Sequence, residues 1–150
     1  MDQFFNPKSI AVIGASDKPD SLGSTLIENL VKGGFGGTII PINPNLEEIQ
    51  GLKALGSITD AEPYTDLAII AVPIGLAPDI IRQCVRNGTR GVIIIAAGGK
   101  ELGEEGSLIE EQIKGAAEGS GLRIIGPNCL GIIRPGKNLN ASFVPGMPAK

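Results

Sequence analysis

The sequence predicts an α/β fold in which helices cover both faces of an open parallel sheet. Near-continuous aliphatic runs recur along the chain, as in strands that are buried on both faces. Amphipathic segments with helical spacing lie between these runs. Strands and helices therefore alternate at intervals of about 30 residues, which is the pattern of repeated strand–helix–strand units. At 150 residues the chain suits one domain with a core of its own.

The first half of the chain supplies two strands and one helix. A strand is expected over residues 9–14, where an apolar run ends at a glycine. A helix is expected over 22–32, because apolar residues three and four apart form one face and Gly33 follows. A second strand is expected over 37–42, before a turn at 43–45. The weaker pattern that follows predicts a helical turn at 46–51, a short strand at 53–55 and a short helix at 57–61.

The second half continues the alternation. Residues 67–72 form an uninterrupted aliphatic run before Pro73, which predicts a buried strand. A helix is expected over 77–87, with Cys84 on its apolar face and Gly88 as its cap. The remaining elements are a strand over 91–96, a helix over 104–118 with acidic residues in its first turn, and a strand over 122–125.

Composition excludes several classes of function. The net charge of −3 gives no basic field that would attract nucleic acid or an anionic membrane. One Tyr, four Phe and no Trp leave few rings on which single-stranded nucleic acid could stack. No apolar run reaches the roughly 20 residues of a membrane span. Because the chain has no histidine, it has no Ser–His or Cys–His catalytic pair, and no metal site is expected.

The two cysteines, Cys84 and Cys129, are far apart in sequence and form no metal or redox motif. Two free thiols are expected, which favours a reducing compartment and therefore the cytoplasm.

The junction between the first strand and the first helix is the candidate binding site. Backbone N–H groups and the positive end of a helix dipole meet there, which suits a phosphate. Gly14 allows a ligand to approach the backbone, Ser16 and Ser21 offer hydroxyls, and Lys18 offers charge. The dinucleotide fingerprint is absent, because the next glycine after Gly14 is Gly23. A tight turn without a ligand remains the alternative interpretation.

The other loops that follow strands are also small or polar. In a parallel sheet they meet at one edge, where ligands bind. A site for NAD usually has an acidic residue at the end of the second strand, whereas this chain has Asn43-Pro44-Asn45 there. The asparagines favour a ligand with a phosphorylated ribose, such as coenzyme A, although they could simply form a turn.

Four stretches together resemble a known family. They are residues 5–16 (FNPKSIAVIGAS), 41–45 (PINPN), 71–73 (AVP) and 126–131 (GPNCLG). They look like the N-terminal CoA-binding domain of NDP-forming acyl-CoA synthetases, a family that includes ADP-forming acetate–CoA ligase and, more distantly, the alpha subunit of succinyl-CoA synthetase. The resemblance covers nearly the whole chain. It implies a Rossmann-like fold that holds the nucleotide portion of coenzyme A (CoA).

The resemblance also implies a role for individual residues, none of them catalytic. Val72 and Pro73, with Ala97 and Gly98, would line the path to the thiol end of CoA. Asn128 and Cys129 would lie near the reaction centre and face a phosphohistidine loop, although Cys129 could equally be a small buried turn residue. The CoA phosphates would contact Gly14, Ala15, Ser16, Lys18, Ser21, Leu22 and Gly23, and the adenosine would contact Asn43, Pro44 and Asn45.

Residues 1–131 are expected to form the CoA-binding domain, and 132–150 a turn-rich tail that leads toward a missing domain. The apolar residues of this tail near Ile132 suggest a partner surface.

The phosphohistidine and the ATP-grasp domain, with ATP, ADP and Mg, would belong to the remaining domains or a beta subunit of an oligomeric enzyme. This chain alone should bind CoA without turnover, and the acyl substrate cannot be deduced from it. The alternatives are a regulatory region of a protein lysine acetyltransferase, a stand-alone CoA- or nucleotide-binding protein, and an NAD-binding regulator.

Overall fold

The computed structural model describes residues 1–149, which form an α/β fold around a five-stranded parallel sheet. The strands are β1 Ser9–Ile13, β2 Thr38–Ile42, β3 Glu48–Ile49, β4 Leu52–Lys53, β5 Leu67–Ile70, β6 Gly91–Ile94, β7 Arg123–Ile125, β8 Gly131–Arg134 and β9 Leu139–Ser142. The α-helices are α1 Asp2–Phe5, α2 Leu22–Lys32, α3 Ala77–Asn87 and α4 Glu104–Ala117. None of these helices combines the length and the apolar composition needed to cross a membrane.

The central sheet has the strand order β2-β1-β5-β6-β7, and every neighbouring pair is parallel. Strand β1 pairs with β2 on one side, where Ile10 lies opposite Ile39, and with β5 on the other, where Ile10 lies opposite Leu67. The chain therefore leaves β1 in one direction and returns on its other side. This reversal makes the carboxyl ends of β1 and β5 a topological switch point, where doubly wound sheets bind their ligands. The expected Rossmann-like fold class is confirmed.

Each face of the sheet has its own hydrophobic core. Side chains alternate along β1, so that Ile10 and Val12 join the cluster under α2. Ala11 and Ile13 join the opposite cluster, under α3 and α4. All four residues are buried. Because both faces are covered, the central strands β5 and β6 are apolar and buried at every position, as the sequence indicates.

Local signals explain why α2 and α3 have the boundaries that the sequence predicts. Ser21 precedes α2, and its Oγ accepts a hydrogen bond from Ser24 N at 3.3 Å. Gly88 follows α3 with a φ of +84°, and its N–H donates to the carbonyl oxygens of Cys84 and Val85. The strands and α4 differ from the expected bounds by up to two residues at an end.

The prediction of a helical turn at 46–51 is wrong, because this segment is part of an antiparallel hairpin formed by β3 and β4. Its turn residues Gln50 and Gly51 have φ values of +50° and +78°, which a helix does not tolerate. Ile49 is fully buried in the core under α2. Leu55 N donates to Pro41 O at 2.9 Å, so the hairpin is tied to the edge strand β2. Burial of Ile49 and this added backbone pairing outweigh the weak helical pattern.

The segment expected to be a turn-rich tail adds a second hairpin to the domain. Strands β8 and β9 pair antiparallel, and Ile132, Leu139 and Ala141 are buried in the cluster that also contains α2. The packed fold therefore continues to Ser142, beyond the expected boundary at Gly131. Ile132 belongs to the core, because it alternates with outward-facing neighbours along a strand. It is therefore unavailable to a partner surface.

Candidate functional site

The structure brings all sixteen predicted site residues to the carboxyl edge of the central sheet. They lie in the five loops that follow β1, β2, β5, β6 and β7, in that order: Gly14, Ala15, Ser16, Lys18, Ser21, Leu22 and Gly23; Asn43, Pro44 and Asn45; Val72 and Pro73; Ala97 and Gly98; Asn128 and Cys129.

The β1–α2 loop is built around a close backbone contact between Gly14 and Gly23. A Cβ on Gly23 would overlap the carbonyl oxygen of Gly14 and would lie 3.0 Å from Ala15 Cα. Gly14 itself has a φ of +90°, which favours glycine. Gly23 is therefore required by the close approach of the first turn of α2 to the end of β1. This contact places the amino end of the helix directly beside the strand end.

Several backbone N–H groups in this loop are available to a ligand, and four of them lie just after β1 or in the first turn of α2. Within residues 1–149, the amides of Ala15, Ser16, Leu22 and Gly23 have no hydrogen-bond acceptor in the protein. The last two are in the first turn of an eleven-residue helix, where the macrodipole adds positive potential. The side chain of Ala15 is fully buried, so this residue would contact a ligand through its backbone, whereas Leu22 is partly buried against the core.

Ser21 and Ser16 have different roles in the loop. Ser21 Oγ donates to Lys18 O at 2.7 Å and caps α2, so its hydroxyl is already engaged within the protein. Its hydroxyl thus has a structural role, and its expected contact with a phosphate stays a prediction. Ser16 Oγ accepts a hydrogen bond from Lys18 N at 3.0 Å and keeps its own proton to donate.

The charges of the loop do not by themselves attract an anion. Lys18 is exposed, but the exposed carboxylates of Asp17 and Asp20 lie one and two residues away in sequence. The formal charge of the loop is therefore negative. Attraction for an anion has to come from the backbone amides and the helix dipole, which act over the first turn only.

Asn43, at the end of β2, holds the loop in place. Its Nδ2 donates to Ala15 O at 2.9 Å, and its Oδ1 accepts from Asn45 N at 2.8 Å. The second bond is the turn geometry that asparagine favours, and the first links the ends of β1 and β2. Both polar atoms of the Asn43 side chain are thus used within the protein.

Gln50 also contacts the β1–α2 loop, and no pattern in the sequence indicates this contact. Its Nε2 donates to Ser24 O at 3.0 Å and to Ser24 Oγ at 3.2 Å. Its backbone N donates to Asp17 Oδ1 at 3.4 Å. A glutamine in a segment without a clear pattern has no signature of this role, because the contact exists only once the β3–β4 hairpin folds back onto α2.

The loops after β5 and β6 lie beside this arrangement. A Cβ on Gly14 would lie 2.8 Å from Val72 Cγ1, and one on Gly98 would lie 3.6 Å from Ile74 Cβ. The amides of Gly98 and Gly99 donate to Glu101 Oε1 at 2.7 and 3.1 Å. The first of these bonds is the main reason that the pKa of Glu101 is lowered. These amides are thus paired with a carboxylate, unlike those of the β1–α2 loop.

The loop after β7 closes the edge. Gly126 has a φ of +99° and lies so close to β6 that a Cβ would overlap Ile94 O. Asn128 N donates to Ala96 O at 3.0 Å, and Cys129 Sγ donates to Ile94 O at 3.3 Å. Burial raises the pKa of the half-buried Cys129 thiol, which is therefore neutral near pH 7. The thiol is placed as a polar contact and is not activated as a nucleophile.

The remaining features of the molecule lie away from this edge. Cys84 is fully buried on α3, as expected for a core residue, and burial raises its pKa to about 12. The part of the chain that the structure describes contains no group of three or more acidic or cysteine residues that could hold a metal ion. A cavity of about 680 Å³ lies at the opposite edge, where Lys8 and Thr38 contribute to its lining. Thr38 N donates to Lys8 O at 2.9 Å at this edge.

Comparison with known proteins identifies the family of this chain. The family described as "CoA binding domain" matches residues 8–135. The alpha subunit of ADP-forming acetate–CoA ligase II from Pyrococcus furiosus is 46% identical over 144 residues, which are 96% of this chain and 31% of that protein. The ADP-forming 4-hydroxybutyrate–CoA ligase of Nitrosopumilus maritimus is 42% identical over 128 residues, which are 85% of this chain and 18% of that protein.

A solved structure is also similar. Acetyl-coenzyme A synthetase 1 of Ca. Korarchaeum cryptofilum, in complex with phosphate and ADP, superposes with a TM-score of 0.91 at 37% identity. The match covers 96% of this chain and 31% of that one. The chain thus spans only 18% to 31% of the length of the relatives named here. The chain therefore belongs to the CoA binding domain family and corresponds to that domain of the ADP-forming acyl-CoA synthetases.

Proposed function

We propose that this chain holds the nucleotide portion of CoA at the carboxyl edge of its sheet, with the diphosphate against the β1–α2 loop. The observation that carries the proposal is a group of four unpaired amides: those of Ala15 and Ser16 just after β1, and those of Leu22 and Gly23 in the first turn of α2. They lie at the switch point of the sheet, and a phosphate there would gain both hydrogen bonds and the helix dipole. Ser16 Oγ and Lys18 are the side chains that can add to this binding.

The rest of CoA would follow the edge of the sheet. The adenosine with its 3′-phosphate would lie beside Asn43, Pro44 and Asn45, where the acid typical of NAD sites is missing. The pantetheine arm would run past Val72 and Pro73.

Ala97, Gly98, Asn128 and Cys129 would then surround the thiol end. The contacts between successive loops described above support one continuous site of this length.

We also propose that the whole protein is an ADP-forming acyl-CoA synthetase, in which acid, CoA and ATP interconvert with acyl-CoA, ADP and phosphate. The chain has no histidine, so a phosphohistidine, the ATP site and Mg would be supplied by further domains or a beta subunit. The two free thiols support a cytoplasmic location. Relatives of similar identity are named for acetate and for 4-hydroxybutyrate, which supports an acyl pocket outside this domain.

Calorimetric titration of the chain with CoA, 3′-dephospho-CoA and NAD tests the first proposal. We expect CoA to bind most tightly, 3′-dephospho-CoA more weakly and NAD not measurably. Lys18→Ala should weaken CoA binding by about threefold to tenfold, since one charged contact to a phosphate is lost. Lys114→Ala is the matched control, because it removes the same charge from an exposed position on α4. NAD binding without CoA binding, or equal effects of the two substitutions, would contradict the proposal.

A further inference from the structure

Gln50 lies at the tip of the β3–β4 hairpin and joins it to the first turn of α2. Its Nε2 donates to both the carbonyl oxygen and the hydroxyl of Ser24, at 3.0 and 3.2 Å. Ser24 N in turn donates to the helix cap Ser21 at 3.3 Å. The side chain of Gln50 is therefore one hydrogen-bonded step away from the residue that begins the helix.

The backbone of Gln50 contacts the loop itself. Its N–H donates to Asp17 Oδ1 at 3.4 Å, a long hydrogen bond. Asp17 is an acidic residue in a loop that would bind a diphosphate, so a free carboxylate there would repel the ligand. The bond gives this carboxylate a partner on the hairpin side of the loop. Both contacts of Gln50 thus act on the segment that carries the four unpaired amides.

The hairpin is a firm support for these contacts. Ile49, next to Gln50, is fully buried in the core. Ala54 N donates to Glu47 O at 2.8 Å across the base of the hairpin, and Leu55 N donates to Pro41 O at 2.9 Å on β2. The left-handed φ of +50° at Gln50 presents its N–H and its side chain to the loop and to α2. The β1–α2 loop is therefore held at two points, by Asn43 at Ala15 and by Gln50 at Asp17 and Ser24.

We propose that Gln50 is a positioning residue for the diphosphate of CoA. It acts through the loop and does not touch the ligand. By bonding Ser24 and Asp17, it keeps the amides of the loop and the amino end of α2 in one arrangement before the ligand arrives, so that less ordering is needed on binding. This inference rests on the proposed function, because it assumes that the loop binds the diphosphate.

Gln50→Met tests the inference, since it keeps the length of the side chain and removes its donor. Gln50 is exposed, so we expect the melting temperature to be unchanged. We expect the Kd for CoA to rise by about threefold to tenfold, which is the range for one or two modest hydrogen bonds. The Kd for 3′-dephospho-CoA should rise by the same factor, because both ligands carry the diphosphate. Gln112→Met, an identical change at an exposed position on α4, is the control and should change neither Kd.

Hydrogen exchange separates positioning from a general loss of stability. In the free Gln50→Met variant, the amides of Ser24 and Thr25, which donate to Ser21, should exchange faster than in the wild type, and saturating CoA should restore their protection. If the wild type binds CoA and the Gln50→Met variant binds it with the same Kd, the inference is overturned and the proposed function is left intact. A weaker affinity that comes with a lower melting temperature would also overturn the inference. So would a weaker affinity for CoA with an unchanged affinity for 3′-dephospho-CoA. Failure of the wild type to bind CoA would overturn the proposed function and this inference together.

Discussion

Replacement of Gly23 by alanine is the most direct test of how the site is built. The new Cβ would overlap Gly14 O and would lie 2.8 Å from Gly14 C and 3.0 Å from Ala15 Cα. Ordinary contacts between carbon atoms are about 3.5–4.0 Å. Because the overlap with Gly14 O is tighter than the two carbon contacts, helix and strand end would have to separate by more than about 1 Å. The neighbouring atoms are backbone, which cannot turn away as a flexible side chain does. We expect a loss of about 2–3 kcal/mol in the free energy of unfolding, as for overpacked cores.

The same displacement moves the unpaired amides, so CoA binding should weaken by about tenfold or more in a variant that is still folded. Urea unfolding and calorimetric titration of CoA measure the two effects. Gly115→Ala is the matched control, because Gly115 lies inside α4 with no atom within 4 Å of the added Cβ. It should stabilise the protein by about 0.5–1 kcal/mol and leave CoA binding unchanged. A Gly23→Ala variant with wild-type stability and affinity would refute the argument that this close contact forms the site.

Two further predictions concern the core. Asn29→Ala removes the hydrogen bonds from Nδ2 to the carbonyl oxygens of Ser142 and Val144, at 2.8 and 3.1 Å. The free energy of unfolding in urea should fall by about 2 kcal/mol. An unchanged unfolding midpoint would show that the second hairpin does not depend on these bonds. Burial raises the pKa of Cys84 from 9.0 to about 12, so the unfolded chain loses this proton first as the pH rises. The protein should therefore be less stable at pH 10 than at pH 8, with about 1 kcal/mol of the loss due to this thiol. The Cys84→Ala variant should not show this part of the loss in stability. If the stability of the two proteins depends on pH in the same way, Cys84 is not its cause.

The parts of the fold that the sequence predicted best have local causes. The helix over 22–32 begins at a serine that caps it through its own hydroxyl, and the helix over 77–87 ends at a glycine with a positive φ. The buried strands are apolar because both faces of the sheet are covered. The carboxyl edge could be identified as the site because parallel topology places every strand end on the same side.

The two hairpins were not predicted, because their stability comes from distant partners. Residues 46–51 carry a weak helical pattern, and they form a hairpin because Ile49 is buried under α2 and Leu55 pairs with β2. Residues 132–142 contain turn residues typical of a tail. They fold because the β8–β9 pair completes the core on the α2 face, and because Asn29, more than a hundred residues earlier, binds the segment that follows.

The sequence by itself determined the class of fold, the edge at which a ligand would bind, and the family. Only the tertiary structure decided which polar groups at that edge are free. It showed that Ser21, Asn43 and the amide of Gly98 are bonded within the protein, whereas the amides of Ala15, Ser16, Leu22 and Gly23 are not. The physical reason is that a hydrogen bond depends on the position of both partners. The partners that hold this loop, such as Asn43 and Gln50, are brought to it by the folding of separate strands.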